Sequence, residues 1–181
     1  MRSILEAAER VFSVQPAASL EQVAEAAGVA RTTIHRRFAN RQALVDALAL
    51  AAAAQLREAV DSAHPDTAPP LVALHQATAN VLRTKRSWRF ALEQADIPGS
   101  AAFADQVALA QRCVELLARA RDQGVLAADA DLDWTRRVFY ALIGEVIHGH
   151  TFDTAQDAEL DPDTLAGRIV DTLLHGAGPR P

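Results

Sequence analysis

Apolar residues return every three to four positions through each long segment of this chain, and nowhere do they alternate in the two-residue rhythm of a strand. That periodicity leaves room for helices and little else, so an all-α fold of about nine helices is expected. Residues 2–14 place Ile4, Leu5, Ala8, Val11 and Phe12 on one stripe. Gln15-Pro16 ends that helix, because proline has no amide to donate and restricts the residue before it. Ser19 with Gln22 three residues on spells a capping box for a second helix, with Leu20, Val23, Ala24 and Ala27 inward. Gly28 then stands where a left-handed C-cap is expected. A short third helix at about 31–37 has only Ile34 and Phe38, at i and i+4, to anchor it. Asn40 caps a fourth helix running from Arg41 to about Ala63.

The second part of the chain reads in the same way. "HPDTAPP" (64–70) is a linker, and Pro70 suits the first position of a helix to about Thr84. A short helix follows at about 87–95. The next shows Phe103, Val107, Ala110, Val114 and Leu117 on one stripe and closes at Gly124. A helix at about 131–150 contains "VFYALIGEVI", apolar almost all round, which calls for cover on more than one side. A second copy of the chain is the expected source of the second cover. Asp161-Pro162 starts a last helix and Gly176 stops it, with Leu165, Ile169 and Leu173 between.

Half of the 181 residues are hydrophobic, ample for a core. No apolar run reaches membrane-spanning length, and "MRSILEAAERVF" mixes charge with apolar residues unlike a signal peptide. A cytoplasmic protein with no membrane partner is expected. Cys113 is the single cysteine, so no internal disulfide or thiolate metal cluster can form.

The formal net charge of −5 hides an asymmetry. Residues 1–50 carry six arginines against five carboxylates, whereas 51–181 carry twelve basic and eighteen acidic groups. Within the first part the positive charge gathers in "GVARTTIHRRFANRQAL" (28–44), which holds four arginines and a histidine and no acid. A solvated helix face is the plain reading of such a cluster. The surrounding pattern favours another: a helix, a tight turn at Gly28-Val29, and a short helix with a cationic outer face have the proportions of a helix-turn-helix. Thr33, Arg36 and Arg37 share the outward face, with Thr32 and His35 beside it. Arginine can bond guanine O6 and N7 or pair with phosphate, and threonine offers a methyl to thymine. Arg41 carries its charge to the positive end of a helix dipole, which suggests a phosphate partner.

"LEQVAEAAGVARTTIHRRFANRQAL" resembles the N-terminal domain of the TetR family of bacterial transcriptional regulators. Ala27, Gly28, Val29, Thr33, Ile34, Phe38, Asn40 and Leu44 match the family pattern closely or conservatively, over about residues 2–48. Ala30 departs from it, standing where the family usually caps the reading helix with serine; His35, Arg37 and Arg41 replace a usual tyrosine, histidine and lysine. The resemblance implies a helix-turn-helix head at residues 1–45 and a helical ligand-binding and dimerisation domain at 46–181. It further implies double-stranded DNA as partner, through Arg31, Thr32, Thr33, His35, Arg36, Arg37 and Arg41. A homodimer through the last two helices, a palindromic operator and a small-molecule effector follow from it, with repression the usual outcome.

For the effector, Trp88, Phe90, Phe103, Cys113 and Tyr140 fall on the central helices where the family's pockets lie, although each also suits ordinary core. Glu145 is unusual inside an apolar run; an arginine across a dimer or a cationic ligand group would answer it. Trp134, near a helix start, reads as packing. Arg83, Lys85, Arg86 and Arg89 form a second basic cluster, read as a solvated face rather than an anion site. His148 and His150 splay apart at a spacing of two, and no phosphate loop or activated nucleophile is present, so neither an enzyme nor a cofactor is expected. The competing reading is a helical small-molecule-binding protein without specific DNA binding.

Overall fold

The structure is a computed structural model that describes residues 2–148 and 161–175. Among the described residues it contains nine helices and no strand: α1 Arg2–Val14, α2 Leu20–Ala26, α3 Arg31–Arg37, α4 Arg41–Asp61, α5 Pro70–Ser87, α6 Arg89–Ala95, α7 Phe103–Asp122, α8 Leu132–His148 and α9 Pro162–His175. The side chain of His148, together with His150 and Gly176, lies outside the described residues. Contacts divide the chain into two compact units, Met1–Gln55 with Ser87–Val107, and Leu56–Arg86 with Ala108–Pro181.

In the first unit, α1 buries Ile4, Leu5, Ala8 and Phe12, and α2 buries Leu20, Val23 and Ala24. The capping box forms on both sides: Ser19 Oγ accepts the Gln22 amide at 3.3 Å, and Gln22 Oε1 accepts the Ser19 amide at 2.8 Å. At the other end of α2, Gly28 has φ +66°, the Val29 amide donates to the Ala24 carbonyl at 2.9 Å, and the Gly28 amide donates to Glu25 at 3.0 Å. Those two bonds make a Schellman cap, which turns the chain sharply toward α3. Ile34 and Phe38, 0% and 6% exposed, pin α3. Asn40 Oδ1 accepts the Ala43 amide at 2.9 Å and starts α4. Small residues close the unit, with Ala49, Ala53, Ala95 and Ala102 packed together.

In the second unit, α5, α8 and α9 share a core of Leu82, Phe139, Ile143, Ile147, Leu165 and Ile169. A second cluster joins Leu74, Leu116, Leu117, Ala120 and Val170. The α4–α5 linker is held by arginines of α7. Arg119 donates to the Pro65 carbonyl and, at 2.9 Å, to that of Ala68. Arg112 meets Asp61 at 3.3 Å and Asp66 at 3.0 Å. Asp131 and Asp161 cap α8 and α9 through the second and third amides of each helix.

Three expectations are corrected here. The buried stripe of α7 is Leu109, Leu116, Leu117 and Ala120, and Val107 is 54% exposed. The two stripes share Leu117; Leu109, Leu116 and Ala120 turn inward beside it, and Phe103, Ala110 and Val114 stay half-buried. Trp134 does not pack inside its own chain: it is 63% exposed. Glu145, too, is exposed, because Phe139, Ile143 and Ile147 define the buried face of α8 and leave it outside.

Candidate nucleic-acid interface

The α3 helix is held from below and bare above. Ile34 and Phe38 sink into the core while Arg31, Thr32, His35, Arg36 and Arg37 are exposed and Thr33 is half-buried. The result is a cationic surface raised on a turn whose backbone is fixed by two hydrogen bonds. Its first turn lacks a side-chain cap, since Ala30 has extended backbone (φ −64°, ψ 145°) but no oxygen to offer. A serine there would normally stabilise the helix by about 1 kcal/mol.

Two of the seven DNA candidates have partners within the chain. His35 Nε2 lies 2.8 Å from Glu21 Oε1, tying α3 to α2. That hydrogen bond, with bonds from the Glu21 backbone amide and Ser19, holds the Glu21 carboxyl at about 2, well below its usual 4.5. Arg41 is more deeply committed. Its Nε donates to the Ala18 carbonyl at 3.2 Å, Nη2 donates to the Pro16 carbonyl, and the guanidinium lies 4.8 Å from the Phe12 ring centroid. Carbonyls of the α1–α2 loop thus meet the charge at the start of α4 within the chain itself.

The candidate effector residues divide between the units: Trp88, Phe90 and Phe103 in the first, Cys113, Tyr140 and Glu145 in the second. Phe90 is 8% exposed and stacks on Phe12, with ring centroids 5.2 Å apart. In the second unit Cys113 meets Tyr140 through a hydrogen bond, with Arg136 stacked on the Tyr140 ring at 5.4 Å. Burial pushes the Cys113 thiol up to about 11, so it is neither a nucleophile nor a ready metal ligand near neutral pH. Among the described residues no group of His, Cys, Asp and Glu is arranged to hold a metal ion, and no helix is long and apolar enough to cross a membrane. In the second basic cluster, Arg83 pairs with Asp163 and Arg89 with Glu93.

The residue that sequence reasoning missed is Glu9. It is 6% exposed on the apolar face of α1, and its carboxylate accepts bonds from the Phe90 and Ala91 amides. A charged residue between Leu5 and Phe12 was the available signal.

Comparison with known proteins agrees with this geometry. Residues 4–48 match the sequence profile of the bacterial regulatory proteins of the tetR family. The chain is 33% identical over 145 residues to the HTH-type transcriptional repressor LfrR of Mycolicibacterium smegmatis, covering 78% of this chain and 74% of that one. The crystal structure of LfrR from Mycobacterium smegmatis in complex with proflavine is similar over 99% of this chain and 96% of that one, at 27% identity and a TM-score of 0.75. The regulator PfmR from Thermus thermophilus shares the fold, with a TM-score of 0.81 over 97% of this chain and 99% of that one, at 20% identity. The chain belongs to the TetR family of bacterial transcriptional regulators.

Proposed function

We propose that the chain acts in the cytoplasm as a homodimeric repressor whose two α3 helices enter major grooves of a palindromic operator, and that a small molecule releases it. The observation that carries this reading is the acid-free, outward cationic face of α3, raised on the Schellman turn at Gly28. Residues 1–45 form the reading head, and 46–181 take the effector and the second copy. Arg31, Thr32, Thr33, Arg36 and Arg37 contact bases and phosphates. His35 and Arg41 contribute mainly by holding the head in shape, since Glu21 and the loop carbonyls already engage them. Two heads related by a two-fold axis read half-sites related in the same way.

Support for the dimer comes from α8. Trp134, Val138, Ala141 and Glu145, at i, i+4, i+7 and i+11, make one stripe, of which Val138 is half-buried and the other three are exposed. Glu145 belongs to that stripe and is assigned to the partner rather than to the effector. Cys113 and Tyr140 are the effector contacts we favour, one apolar and one aromatic. Because LfrR binds proflavine, planar aromatic molecules are the first effectors to try.

The test is selection of fragmented genomic DNA on the purified protein at two salt concentrations. A palindromic motif enriched at both is expected, since specific contacts persist where purely ionic binding fades. The double substitution Arg36→Ala with Arg37→Ala should remove that enrichment and flatten the salt dependence while circular dichroism and sedimentation stay as in wild type. Wild-type affinity in the double variant would overturn the assignment of the reading face.

A further inference from the structure

Helix α6 starts without a cap of its own. Trp88, which precedes its first turn, has φ −130° and ψ 41°, and its side chain takes no amide. The donors are met from α1 instead: Glu9 Oε1 accepts the Phe90 amide at 2.8 Å and Oε2 the Ala91 amide at 3.0 Å. These are the second and third amides of α6, the pair that an N-cap side chain ordinarily serves. Ser13 Oγ adds a third bond to Oε1 at 3.0 Å. One helical turn beyond Glu9, the Phe12 ring packs on Phe90, so a polar and an apolar contact join the same two elements.

We propose that Glu9 is a positioning residue that makes α6 part of the DNA-reading unit, so that the state of α6 sets the state of the head. The first turn of α6 is completed only by a carboxylate 81 residues away in sequence, and α1 carries that carboxylate into the interior only because α6 receives it. Bonds to a charged acceptor are about twice as strong as neutral ones. Separating α1 from α6 therefore leaves a buried carboxylate and two amides without partners at once, which favours a joint movement over a partial one. α1 packs on α2 and α2 on α3, so a displacement of α6 passes to the reading helix through packed elements.

Hydrogen exchange of the full chain, read peptide by peptide, tests the coupling without needing an operator. In Glu9→Gln, peptides covering 88–95 and peptides covering α1–α3 should both exchange at least about tenfold faster, with 132–148 unchanged. If that variant unfolds throughout, Glu9→Asp keeps the charge with a shorter reach and should show the same paired loosening more weakly. Faster exchange in 88–95 alone, or in neither region, would overturn the proposal. The consequence for regulation rests on the DNA-binding reading above: affinity for a fragment selected with wild type should fall at least tenfold in Glu9→Gln. Paired loosening with unchanged affinity would also overturn it, whereas wild type that selects no DNA would sink the repressor reading and leave the exchange result standing.

Discussion

Ala30, His35 and Arg41 show how single side chains set the terms of this head. Ala30 leaves the reading helix uncapped, so Ala30→Ser should raise stability by about 1 kcal/mol, seen as a higher urea midpoint at unchanged slope. A lower midpoint would mean that the α3 start does not tolerate the hydroxyl. The His35–Glu21 pair gives a pH dependence of known sign. Glu21 has a depressed pKa in the folded chain, so its contribution is complete above the ordinary value of 4.5 and is lost as pH falls toward about 2. Both groups are exposed, so the effect is small and screened by salt. The difference in urea midpoint between wild type and Glu21→Gln should be clear at pH 5–6, narrow steadily below pH 4, and shrink with added salt. A difference that persisted unchanged at pH 2 would rule out the carboxylate as its source. Arg41, by contrast, already has partners inside the chain. The positive end does disfavour an arginine, but the side chain is long enough to find carbonyls in the preceding loop.

At the scale of elements, most of what the sequence promised concerns helix ends. The Ser19 box, the Asn40 cap, the Asp161 start and the glycine stops at 28 and 124 all rest on chemistry contained within a few residues, and all are present. What depends on neighbours distant in the chain was much less legible. The α7 stripe was only partly legible: Leu117 is buried as expected, but packing turns Leu109, Leu116 and Ala120 inward beside it and leaves Val107 exposed. Glu9 went unread because its partners are amides 81 residues on, and backbone amides leave no mark in a sequence. Within the candidate site the exposed α3 residues could be read from spacing, whereas the partners of His35 and Arg41 could not. The Gly28 turn gives a sharp test of the local logic. A Cβ built there meets nothing within 4 Å, so Gly28→Ala introduces no clash and only the cost of a left-handed backbone. That cost is about 1–2 kcal/mol. Urea denaturation should show a loss of this size, and a neutral result would mean that the turn relaxes out of the left-handed region.

For the whole molecule, the question is what covers α8. Phe139, Ile143 and Ile147 are buried within the chain, yet Trp134, the largest side chain of the helix, is 63% exposed and Tyr140 40%. A lone exposed aromatic needs no explanation, but the stripe that runs on through half-buried Val138 and exposed Ala141 is the surface proposed above for the second copy. Ala141 offers the cleanest probe because it is exposed in the single chain and its replacement disturbs no core contact. In Ala141→Glu two like charges would be brought together across a two-fold interface and stripped of water, which costs far more than the stripe can return. Sedimentation should therefore show a monomer with unchanged helicity. With only one head per particle the benefit of two linked half-sites is lost, so affinity for a palindromic fragment should fall by a factor on the order of 100 or more. Binding to a single half-site should be little changed, because α3 is untouched. If Ala141→Glu still sediments as a dimer and holds the palindrome as wild type does, the second copy docks elsewhere and the exposed stripe of α8 has another occupant.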